Sequence, residues 1–138
     1  MLVWRPFLGS NNVVVRTDSG LNIGTGHVMR CLTLADALRS VGLQSTFVSR
    51  AHEGHVIQAI RTQGHDLVIL PGNTTEVYGG HIRPPSHAHW LEANWRADAV
   101  VTRGLIEDTR ASWLVMDHYA LDVSWQAIIA GDIDGVNS

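Results

Sequence analysis

The feature that most constrains this chain is a β-branched run, Val13-Val14-Val15, that ends in Arg16-Thr17-Asp18 and passes through a glycine-rich stretch into an apolar helix face. Three consecutive valines suit a strand buried on both faces, as in a parallel sheet. The stretch SGLNIGTG then supplies three glycines and an asparagine, and the apolar positions Val28, Cys31, Leu32, Ala35 and Leu38 follow at helical spacing. Gly42 marks the helix stop. The order repeats downstream, with Ser45 to Val48 as strand, Val56 to Gln63 as helix, Gly64 as stop and Asp66 to Leu70 as strand. Strands alternating with helices at such intervals predict an α/β fold, a doubly wound parallel sheet of Rossmann-like type.

The rest of the chain continues the pattern less evenly. A polar, proline- and glycine-rich segment from Pro71 to Ser86 is longer than an ordinary connection, so it reads as a surface loop or a binding rim. Trp90 to about Ile106 reads as a helix, Trp113 to Met116 as the fourth strand and Val123 to Ala130 as a further helix. Residues 1–11 read as a poorly patterned extension and 131–138 as an irregular tail. One domain accommodates all 138 residues, 45% of them apolar.

Composition narrows the function. No apolar run reaches transmembrane length and the N-terminus lacks a signal-peptide pattern, which predicts a soluble, cytoplasmic protein without membrane contact. All ten basic residues are arginines, spread singly from Arg5 to Arg110, and the net charge is -3, so nucleic-acid binding gains no support. With no lysine, a P-loop lysine and a Schiff base are both excluded. Cys31 has no second cysteine to pair with and lies on an apolar helix face, where burial is the expectation.

In a doubly wound sheet, ligands bind beyond the carboxyl ends of the strands. Two segments reach that edge with reactive side chains: Asp18, Asn22 and His27 after the first strand, and Asp117, His118 and Tyr119 after the fourth. The run Gly24-Thr25-Gly26-His27-Val28-Met29-Arg30 places a histidine where a glycine turn becomes a helix, with an arginine one turn on. Backbone N–H groups there favour an anion, glycines allow close approach, and a histidine moves protons near neutral pH. The alternative is a turn that the glycines merely shape and a histidine that merely caps. Gly20, Gly24 and Gly26 lack G-x-G-x-x-G spacing, so a nicotinamide cofactor is not expected. His52 and His55 are three apart rather than four, and His81, His87 and His89 lack a matched carboxylate or cysteine. Both groups read as solvated surface, with no metal and no cofactor. No G-x-S-x-G elbow is present.

The blocks VVVRTDSGLNIGTGHVMRCLTLADALRSVG and WLVMDHYALDVSW together resemble the UDP-2,4-diacetamido-2,4,6-trideoxy-β-L-altropyranose hydrolases of pseudaminic acid biosynthesis. The resemblance covers residues 12 to 126. It implies the N-terminal half of a GT-B-like fold, and metal-independent removal of UDP by water attacking and inverting the anomeric carbon. The histidine of the G-x-G-H turn, His27, would be the general base. Asp18, Gly24, Gly26, Arg30, Asp117, His118 and Tyr119 would line the sugar side. The family's second Rossmann-like half, which supplies most of the uridine and diphosphate pocket, has no counterpart in this sequence. A separate C-terminal domain or subunit is therefore an expected partner beside the UDP-sugar. Two other outcomes share the fold: the sugar-binding half of a GT-B-like glycosyltransferase, or an inactive truncated remnant.

Overall fold

The computed structural model describes residues 1–70, 95–118, 121 and 123–137. Among these, the elements run β1 (Leu2–Trp4), β2 (Asn12–Thr17), α1 (Gly26–Ser40), β3 (Gln44–Arg50), α2 (Ile57–Thr62), β4 (Asp66–Leu70), α3 (Trp95–Thr109), β5 (Trp113–Asp117) and α4 (Val123–Asn137). The five strands form one sheet in the order β1-β5-β2-β3-β4. All neighbours are parallel except β1, which pairs antiparallel with β5 through Leu2 opposite Met116 and Trp4 opposite Leu114.

From β2 the chain moves outward through β3 to β4, then returns to place β5 on the other side of β2. Crossovers between parallel strands keep one hand, so reversing direction moves the helices to the opposite face. Two apolar layers record this. Val13, Val15, Phe47 and Val115 pack with Val28, Cys31 and Leu32 of α1 and Ile60 of α2. Val14, Val48, Leu70, Leu114 and Met116 pack with Trp95, Ala99 and Ile106 of α3 and Trp125 and Ile129 of α4. The topology switches direction between β2 and β5, which opens a crevice at their carboxyl ends.

Local sequence sets the helix ends. Gly42, at φ +89°, closes α1 with paired bonds, its own N–H to Arg39 O (3.0 Å) and that of Leu43 to Leu38 O (3.0 Å). This is the two-bond terminus that a left-handed residue permits. Gly64 closes α2 in the same way, with its N–H on Arg61 O and that of His65 on Ile60 O.

Two expectations need revision. The first residues are not patternless, because Leu2–Trp4 extends the sheet and Arg5 lies 4.9 Å above the Trp113 ring. Three residues ahead of Arg5-Pro6 carry too short a pattern to declare a strand whose partner lies more than a hundred positions away. Residues 131–137 continue α4 rather than forming an irregular tail. Apolar residues at 125, 129, 133 and 136 keep helical spacing there despite two glycines, and extending an existing helix costs less than starting one. The helix read over Trp90 to about Ile106 is described from Trp95 onward and runs to Thr109. Residues 90–94, the Pro71 to Ser86 segment and His81, His87 and His89 lie outside the described residues. No helix among the described residues is long and apolar enough to cross a membrane.

Leu114 is fully buried where β5 meets the α3 and α4 layer. Leu114→Ala is expected to cost about 2–5 kcal/mol in urea denaturation, whereas Val41→Ala, on an exposed residue, should change stability by less than about 0.5 kcal/mol.

Candidate functional site

Alternation along the two central strands divides the chemistry between the faces of the sheet. On β2, Val13 and Val15 face α1 while Val14 faces α3 and α4. Period two then sends Thr17 toward α1 and Arg16 toward the other side. On β5, Val115 faces α1 and Met116 does not, so Asp117 reaches α1 and His118 turns away. Adjacent residues thus serve different clusters.

On the α1 side, Asp117 collects donors from one helix. His27 Nδ1 lies 2.8 Å from Asp117 Oδ1, Arg30 Nη2 lies 2.7 Å from the same oxygen, and Arg30 Nε lies 2.8 Å from Oδ2. Residues three apart share a helix face, which lets both side chains approach one carboxylate. The Thr17 hydroxyl donates to the Asp117 carbonyl at 3.0 Å. Burial works to raise the Asp117 carboxyl, but the hydrogen bonds from Arg30 and His27 outweigh it and hold the group below the ordinary carboxylate range. Cys31 Sγ is 3.9 Å from Oδ2, and burial together with that negative charge pushes its thiol up to about 12. It stays protonated and unreactive.

Beside this group lies an open cleft of about 240 Å³ lined by Ile23, Gly26, His27 and Arg30. The loop above it is shaped by Gly24 at φ +82°, whose N–H bonds Gly20 O at 2.8 Å, and a Cβ at Gly26 would meet nothing within 4 Å. Gly20 is different, because a Cβ there would come within 3.0 Å of His52 Cβ. Helix α1 begins at Gly26 with no side-chain cap from Thr25 and no acidic residue in its first turn. Its first backbone bond runs from Met29 N to Thr25 O, and the residues that start the helix, Gly26 and His27, border the cleft.

The other face holds a closed network. Asp18 is fully buried and accepts from Arg16 Nη1 at 2.5 Å, the Arg50 backbone N–H at 2.8 Å, His52 Nε2 at 2.8 Å and His118 Nε2 at 2.7 Å. Arg16 also bonds Asp98 of α3 through Nη2 (2.6 Å) and Nε (3.1 Å), and Asp98 further accepts from Arg50 Nε (3.0 Å) and Trp125 Nε1 (2.8 Å). Burial opposes charge on each group, yet Arg16 drives Asp18 and Asp98 below the ordinary carboxylate range. The two carboxylates in turn hold Arg16 above the usual arginine value. For His118 burial prevails over Asp18 and lowers its pKa.

Among the described residues, Asp18, His52 and His118 bring ligand atoms within 4.8 Å of one another, the identity of a two-histidine, one-carboxylate metal set. The charges argue against that use. Arg16 and Arg50 already balance Asp18 and Asp98, so a dication would add two uncompensated charges to a buried site.

The residues singled out in the sequence therefore separate. His27, Arg30, Gly24, Gly26 and Asp117 gather around the cleft. Asp18 and His118 lie in the closed network, where Asp18 presents no surface to a ligand, and Tyr119 is outside the described residues. His52 is buried against Asp18 rather than solvated, while His55 is exposed. Arg16, Arg50, Asp98 and Trp125 gave no functional signal in the sequence beyond one charged residue continuing a β-branched run. No family model, curated protein or solved structure matches the chain.

Arg16→Met should cost about 3–5 kcal/mol in urea denaturation, since it leaves two buried carboxylates short of their counter-charge. The network also predicts acid sensitivity. Asp18 and Asp98 stabilise fully above about pH 4, their unfolded range, and that contribution is lost as pH falls through their folded values. His118 acts earlier, because the unfolded chain takes up its proton near pH 6.5 while the folded chain resists it, so stability declines as pH drops below about 6.5. Between about pH 8 and pH 5, His118→Gln is expected to show a shallower decline in unfolding free energy than the wild type.

Proposed function

We propose that this chain is the sugar-facing half of a nucleotide-sugar hydrolase, acting on a UDP-linked 2,4-diacetamido-2,4,6-trideoxy sugar with His27 as general base. The observation that carries it is a histidine hydrogen-bonded to a buried carboxylate, at a helix N-terminus, lining a cleft beside the sheet's switch point. That placement agrees with the role implied for the G-x-G-H histidine by the hydrolases that the two sequence blocks resemble. The parallel sheet with helices on both faces is likewise compatible with the N-terminal half of a GT-B fold.

In the reaction, water held in the cleft attacks the anomeric carbon as its bond to the phosphate oxygen lengthens. His27 takes one proton from the water, UDP leaves with the bonding electrons, and the free sugar emerges with inverted configuration. The N-terminal field of α1 and the guanidinium of Arg30 favour the anionic end of the substrate. The uridine and diphosphate pocket would come from a second Rossmann-like domain or subunit meeting this face.

The test is UDP release from the UDP-linked trideoxy sugar, with the chain alone and with a separately expressed C-terminal half of a full-length relative. Release without any sugar acceptor is the expected result and separates hydrolysis from glycosyl transfer. His27→Ala is expected to slow it roughly a hundredfold to ten-thousandfold. Unchanged turnover in His27→Ala, or no release in any combination, would overturn the proposal.

A further inference from the structure

An ionised carboxylate only accepts hydrogen bonds. Asp117 has Arg30 on both oxygens, which keeps it ionised, so its 2.8 Å contact with His27 Nδ1 is an N–H···O bond. Nδ1 therefore carries the hydrogen, and in the neutral ring the lone pair belongs to Nε2. This is the opposite of the tautomer that a free histidine side chain favours, and it requires a fixed acceptor.

That acceptor is unusually well held. The Thr17 hydroxyl binds its carbonyl, the next residue, His118, is anchored on Asp18, and Arg30 grips both carboxylate oxygens in a fork. His27 and Arg30 come from one turn of α1, so the helix delivers the base and the group that orients its partner together. We propose that Asp117 and Arg30 are positioning residues that fix His27 in its Nδ1–H tautomer, making Nε2 the atom that takes the proton in the cleft. The proposal names the atom within the reaction above and rests on that reading only for its catalytic consequence.

The oxygen that faces His27 Nδ1, Oδ1, is also the one that Arg30 Nη2 reaches, so one acceptor atom serves both donors. Asp117→Leu removes that acceptor, and the ring returns to the Nε2–H form that a free side chain favours, with no lone pair for the water. Asp117→Asn keeps it, because an amide oxygen at that position accepts from both Nδ1–H and Nη2.

The measurement is a long-range ¹H–¹⁵N correlation spectrum of the full chain, about two pH units above the ordinary histidine value. His27 is identified among the eight histidines by the signal lost in His27→Gln. The wild type is expected to show a protonated Nδ1 and a pyridine-type Nε2, Asp117→Leu the reverse, and Asp117→Asn the wild-type pattern. In the hydrolase assay, Asp117→Leu should lower kcat roughly a thousandfold or more with little effect on KM, and Asp117→Asn should lower it less. A wild-type His27 protonated on Nε2 would overturn the proposal by itself, so a variant that fails to fold does not shield it. An unchanged tautomer in a folded Asp117→Leu would overturn it equally. An Nδ1–H histidine in a chain that releases no UDP would sink the hydrolase reading and leave this one standing.

Discussion

The structure depends on Arg16, a fully buried guanidinium on the central strand. A cation there is unfavourable unless its counter-charges arrive with it. Asp18 comes from its own strand end and Asp98 from α3, so burying Arg16 requires α3 to dock in one register. Arg50 and Trp125 complete the set on Asp98, bringing β3 and α4 to the same point. Apolar packing alone would tolerate small slides of these elements, whereas paired buried charges do not. We read the network as the device that fixes where the carboxyl ends of β2, β3 and β5 and the α3 face meet.

Asp18 and Asp117 end neighbouring parallel strands and are both held ionised by arginine, yet their surroundings give them different uses. Every donor around Asp18 is itself buried, and the lowered pKa of His118 favours its neutral form, so the cluster balances charge without solvent. Around Asp117 the Arg30 side chain is 57% exposed and His27 borders a cleft. A closed network suits position, and an open one suits chemistry. One residue of offset on β5 separates them, because alternation turns Asp117 and His118 to opposite faces of the sheet.

Much of this was legible in the sequence, for physical reasons that differ element by element. Val13 to Val15 and Trp113 to Met116 announced buried strands because parallel strands are apolar on both faces. Gly42 and Gly64 announced helix ends because each terminus needs a left-handed residue. His27 stood out because a glycine turn opening a helix is a local pattern. The network was not local: Asp98 lies 82 positions from Arg16 and 48 from Arg50, and nothing near Asp98 in the chain distinguishes it from a solvated acid on a helix. His52 misled for the same reason, since a polar histidine in a loop reads as surface until its partner, Asp18, is known to be buried beneath it.

The separation of the clusters also bears on what surrounds the base. Two arginines against two aspartates leave little net field from the closed network, so the charges that act on His27 are the near ones: Asp117, Arg30 and the start of α1. What those near groups supply is direction. Arg30 forks onto the carboxylate that receives Nδ1–H, and Thr17 holds the same residue by its carbonyl, so the ring meets a fixed acceptor. A proton acceptor needs that, because it must be aimed before the water arrives.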